Sequence, residues 1–236
     1  MKKLIRTFLY LILITTLIFS SYSIYVKLAE YKKADKIYEN IREMNTSTED
    51  SKDYQLPSIN PDYRFWLKVD NTNIDYPVVQ SEDNSYYLTH DFNKNYLPSG
   101  SIFMDYRNNF EEDDSVIVYG HHMRNKTMFR ELVNFKKENF FNENNLIRVE
   151  YKDTTYVYEV FSVYVANLNH GDYLKVNFED EEDKKEYLNY IKNRSLYKKD
   201  IELNSSDDII TLYTCSYEFD DARTIVHGKL ISKENS

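Results

Sequence analysis

One cysteine occurs in the 236 residues, Cys215, at the end of the apolar run "DIITLYTC" (Asp208–Cys215), and an arginine, Arg223, follows eight positions later. A thiol attacks as its thiolate, and a fixed cation nearby favours that form. Strand alternation places Thr211, Tyr213 and Cys215 on one face. Ser216–Ala222 then reads as a loop, and Arg223 opens the next strand. If those strands pair as a hairpin, the guanidinium returns beside the sulfur. A cysteine nucleophile also needs a proton-transfer partner. Of the five histidines, His121 and His122 have the informative context, "VIVYGHHMRN". A strand ends at Tyr119, Gly120 allows a sharp turn, and two imidazoles follow at once. His227 lies mid-strand and reads as structural or surface, while His90 and His170 fall in loops. A lone cysteine is most often a small buried hydrophobe, and a His-His pair is most often a solvated turn. Their joint occurrence with Arg223 is what points to thiol chemistry.

Other chemistries find little support. There is no HExxH, CxxC or EF-hand loop, no phosphate-binding glycine loop and no GxSxG. "EEDD" (Glu111–Asp114) could attract Ca²⁺, but it reads as a solvated turn before a strand. No metal or cofactor is therefore expected. The formal net charge is −9 and no run of four basic residues occurs, so nucleic acid is a poor partner.

The elements that must position these groups begin with a membrane segment. Thr7–Val26 is an uncharged run of 20 residues without Gly or Pro, and about 20 helical residues cross a hydrocarbon core. Lys2, Lys3 and Arg6 precede it, which predicts residues 1–6 in the cytoplasm and the bulk of the chain outside. The rival is a cleaved signal peptide, with Ser21-Tyr22-Ser23 as the cleavage site. Either way the domain is exported. Exported proteins usually pair their cysteines. A single one is an intermolecular link, a buried passive residue or a nucleophile.

Residues 27–58 read as an amphipathic helix (Lys27–Asn45, with Ala34, Ile37, Tyr38, Ile41 and Met44 at helical spacing) followed by the polar linker Asn45–Ser58. The domain proper occupies 59–236. Eight strand-like segments cover Tyr63–Val69, Ile74–Gln80, Gly100–Tyr106, Asp114–His121, Asn145–Tyr151, Thr155–Leu168, Asp208–Cys215 and Arg223–Ser232. Helices are expected over Thr127–Phe135, with Met128, Phe129, Leu132 and Val133 on one face, and over Asp180–Tyr197. Many short strands with few helices favour a barrel or sandwich.

Together "TLYTC", the later arginine, "YGHHM" and "GSIFMDYRN" resemble the sortase family, class B, from about Tyr63 to the end. The resemblance implies a mainly β fold, a closed eight-stranded barrel with peripheral helices behind an N-terminal transmembrane helix. It implies Cys215 as nucleophile, His121 as catalytic histidine with His122 its rival, and Arg223 as transition-state cation. Tyr213, Thr214 and Ser216 become substrate-binding candidates. Tyr213 stands where class B members often have Ser, and Ser216 where an acidic residue can follow the cysteine. The implied reaction is transpeptidation at a Gram-positive cell surface. A sorting signal of NPxTN or PxTG type is cleaved after Thr through a thioester, and the protein is joined to a peptidoglycan precursor or cross-bridge amine. A pilus-polymerising role is the variant within the family. L,D-transpeptidases place Arg two positions after Cys, and papain-like enzymes place Cys before His, so both fit less well. A membrane-anchored binding domain with an inert, buried Cys215 is the non-enzymatic alternative.

Overall fold

The computed structural model describes residues 2–46, 52–143, 146–167 and 174–235. His170 and residues 47–51 of the expected linker lie outside them. Eight strands form in the order the alternation predicts: β1 (Tyr63–Val69), β2 (Asp75–Val79), β3 (Ile102–Met104), β4 (Ser115–Tyr119), β5 (Leu146–Tyr151), β6 (Thr154–Asn167), β7 (Ile209–Cys215) and β8 (Ala222–Asn235). They close into a barrel in the order β1-β2-β3-β4-β7-β8-β6-β5. Closure leaves no free sheet edge. The β2–β3 and β4–β7 pairs are parallel and the others antiparallel. Inward-facing Phe65, Leu67, Val78, Val118, Ile147, Val149, Ile210, Leu212 and Val226 fill the barrel.

Among the described residues there are four α-helices: α1 (Lys2–Thr46), α2 (Lys52–Ile59), α3 (Glu138–Asn142) and α4 (Glu181–Asn193). α1 joins the expected membrane segment and the following amphipathic stretch into one helix. Its first half is exposed and apolar, long enough to cross a membrane and compatible with an anchor. Its second half docks on the barrel through Ala34, Tyr38 and Ile41. Tyr38 donates to the Gly100 carbonyl at 2.8 Å and meets the Tyr76 ring edge-on. Lys52–Ile59, read from sequence as linker, is helical and buries Leu56.

Asp180 caps α4 by accepting from the Asp183 N–H at 2.9 Å, and Tyr187, Leu188 and Ile191 form its buried stripe. The segment expected as a helix over Thr127–Phe135 is instead 3₁₀, Phe129–Lys136. A three-residue turn puts Phe129, Leu132 and Phe135 inward rather than Val133.

Candidate active site

β7 and β8 form the predicted hairpin, and Cys215 pairs directly with Arg223. The same register sets Tyr213 against Ile225 and Thr211 against His227. These six side chains share the outer face. Its lower half lies under α4, where Ile209, Ile225, Tyr164 and Phe161 meet Leu188 and Ile191. There His227 is fully buried, with Nδ1 2.9 Å from the Thr211 hydroxyl. Burial, aided by the Arg194 charge, depresses its pKa to about 3. Among the described residues no helix covers the upper half, where Cys215 and Arg223 are only partly buried and Tyr213 stands at the margin of the cluster under α4.

The β4–β7 ladder ends with Tyr119 beside Tyr213. Gly120 prolongs it, donating to the Tyr213 carbonyl at 3.1 Å and accepting from the Thr214 hydroxyl at 2.7 Å. His121 lies two residues past Tyr119 as Cys215 lies two past Tyr213, at the same end of the β4–β7 ladder. His121 Nε2 donates to the Leu88 carbonyl at 2.8 Å, which leaves Nδ1 with the lone pair in the neutral ring. Gly120 makes no sharp turn. A Cβ there would come within 2.8 Å of the Phe129 ring, so the glycine admits the 3₁₀ segment against the strand end.

His122 turns the other way and is buried. Its Nδ1 is 2.8 Å from the Cys215 carbonyl. A carbonyl only accepts, so Nδ1 carries the proton and Nε2 accepts from the Arg130 guanidinium. Burial lowers the His122 pKa; the bond to the Cys215 carbonyl opposes this, and the Arg130 and Lys136 charges reinforce it. A ring that accepts from Arg130 at Nε2 is neutral.

Of the substrate-binding candidates, only Tyr213 stands on the open face. Thr214 is buried toward the interior, with its hydroxyl on Gly120. Ser216 is 5% exposed. Its hydroxyl donates to Glu218 and accepts from Thr224 and from Lys136, each at 3.0 Å. Burial would raise the Glu218 carboxyl, but Lys136 and Ser216 hold it at about 2. Sequence reasoning missed Arg130, Lys136 and Glu218.

An aromatic row crosses β3, β4 and β7 beside the thiol, with Phe103–Tyr119 and Tyr119–Tyr213 centroids each 5.2 Å apart. Tyr119 donates to Asp105 at 2.8 Å, and Arg107 pairs with the same carboxylate. The Arg223 charge near the Tyr213 phenol offsets part of the upward shift that burial gives it. The acidic run is engaged elsewhere: Glu111 pairs with Lys152 and Asp114 with Lys184, while Asp113 caps a turn at Asn109.

A thiol and a guanidinium paired across a hairpin, beside an imidazole-bearing strand end, are the parts of a cysteine acyl-transfer enzyme. A sortase-domain family model matches residues 67–231, and the chain belongs to the sortase family. Its relatives are of the B type. It is 31% identical over 244 residues to sortase B of Listeria monocytogenes, covering 98% of this chain and 99% of that one. The structure of Clostridium perfringens sortase B superposes with TM-score 0.74 at 48% identity, covering 76% of this chain and all of that one. A Staphylococcus aureus sortase B–substrate complex gives 0.79 at 30% identity, covering 86% and 99%. The chain is thus a cysteine transpeptidase.

Proposed function

We propose that the protein is a single-pass membrane enzyme, N-terminus cytoplasmic, that anchors secreted proteins to the cell wall. Cys215 attacks the carbonyl of a Thr in a C-terminal sorting signal. The thiol proton passes to His121, the sulfur–carbon bond forms, the peptide bond after Thr breaks, and His121 delivers that proton to the leaving amine. An amine of a cell-wall precursor then attacks the thioester and gives a proton to His121, the carbon–sulfur bond breaks, and the departing thiolate takes that proton back.

The observation that supports this most directly is the Cys215–Arg223 pair on the open half of the face. Arginine stays cationic and offers several donors in a planar fork, which suits a developing oxyanion. The Ser216 N–H already donates to the Ala222 carbonyl at 2.8 Å; Arg223 also donates there, through Nη1 at 2.9 Å, but its guanidinium carries further N–H groups, so Arg223 is the stronger candidate donor. The β4–β7 register and the commitment of both His122 nitrogens favour His121 for proton transfer. Tyr213 and the aromatic row beside it offer a floor for the signal.

The test is a mass spectrum of the full chain in detergent after incubation with NPxTN-type and PxTG-type peptides. An acyl adduct is expected on wild type, with none on Cys215→Ala and little on His121→Ala, and the captured peptide identifies the motif. Absence of an adduct, with a thiol inert to alkylation, would refute the enzyme assignment of Cys215.

A further inference from the structure

The two neighbouring histidines have opposite surroundings, and His122 touches the nucleophile's backbone rather than the open face. Its Nδ1–H holds the Cys215 carbonyl, and the same peptide plane is fixed on its other side by the Ser216 N–H on Ala222. The far ring nitrogen is held by Arg130. The Tyr217 ring packs against the imidazole at 4.9 Å. Arg130 reaches back because the loop closes on itself: Phe129 N–H donates to the His121 carbonyl at 3.0 Å, and His122 bridges to Met128. The closure sets Met128 at φ 55°, a sparsely populated conformation for a non-glycine residue. Lys136, from the other end of the same 3₁₀ segment, grips Ser216 and Glu218. One short segment thus sends Arg130 to His122 and Lys136 to Ser216, the residue that follows β7.

We infer that His122 is a positioning residue, clamped by Arg130, whose Nδ1–H fixes the Cys215–Ser216 peptide plane and so aims the thiol at the substrate carbonyl. This rests on Cys215 as nucleophile and His121 as proton-transfer residue. Aim matters because a small misplacement of a reacting atom lowers the rate while leaving binding intact.

The experiment is steady-state turnover of the sorting peptide by the full chain in detergent. His122→Ala should lower kcat about ten- to a hundredfold with KM nearly unchanged. His122→Asn, whose amide offers a donor near the place of Nδ1, should recover most of the loss. Arg130→Gln should lower kcat in the same way, and the Arg130→Gln/His122→Ala double variant should be no worse than His122→Ala alone, because the two act as one unit. A wild-type kcat in His122→Ala, a loss confined to KM, no recovery in His122→Asn, or additive losses would each overturn the inference. A different result marks failure of the underlying assignment: His121→Ala still turning over while His122→Ala is inactive would make His122 the proton-transfer residue.

Discussion

The two halves of the β7–β8 outer face use the same strands, the same register and the same kinds of residue, yet do opposite things. Under α4, Thr211 faces His227 and the imidazole is sealed in. A few residues along, Cys215 faces Arg223 with no covering helix among the described residues, and both side chains are only partly buried. Residue type does not make the difference, since each half has a polar residue paired across the hairpin. Coverage does. Where α4 packs, desolvation holds the imidazole neutral; where it stops, the polar pair meets solvent and substrate.

Variants of the open half should therefore change rate with little effect on stability, and variants of the covered half the reverse. The largest effect is expected at Arg223. Arg223→Lys keeps the charge but loses the donor fork, and kcat of the purified chain should fall about a hundred- to a thousandfold with the melting temperature hardly moved. A large drop in melting temperature would break the contrast. Next is Ile191→Ala, which removes a fully buried side chain of α4 and should cost about 2–5 kcal/mol in denaturant unfolding, with per-molecule activity of the folded enzyme retained.

The pH dependence comes third. The His227 pKa falls from 6.5 to about 3 on folding, so below pH 6.5 the unfolded chain binds a proton that the folded chain does not. Stability from this group is complete above pH 6.5 and is lost as pH falls toward 3. Replacing His227→Gln should flatten the fall in unfolding free energy over that window. The smallest effect is expected for Asp180→Ala, which removes the α4 cap and should cost about 1 kcal/mol without altering turnover.

Much of this arrangement was legible in the residues. All eight strands were legible as short segments rich in β-branched and aromatic residues, and a hairpin through Ser216–Ala222 would return Arg223 beside Cys215. The covered half was legible in part, because Tyr187, Leu188 and Ile191 recur at helical spacing, although nothing local said which strands they would cover. The 3₁₀ segment was misread because Phe129, Leu132 and Phe135 recur every three residues, a period the α-helical template absorbs through Val133. The clamp on His122 was illegible for another reason. Arg130 meets that ring only because Gly120 admits Phe129 and Met128 adopts a positive φ, and neither condition has a local sequence signature. The helical turn of Lys52–Ile59 was hidden by its polar composition and by Pro57.

The unbroken α1 helix has a geometric consequence. If Thr7–Val26 spans the membrane as proposed, the first docked residue, Ala34, follows after about 12 Å of helix at ~1.5 Å per residue. On that proposal the barrel works at a set altitude above the lipid, like an instrument on a short post, and searches a plane rather than a volume. A cleavage site presented much nearer to or farther from the bilayer would pass beneath or above it. Inserting seven residues after Val26 would raise the post by about 10 Å. Anchoring on cells should then weaken while cleavage of free peptide continues unchanged; equal anchoring by the lengthened enzyme would show that height imposes no such filter.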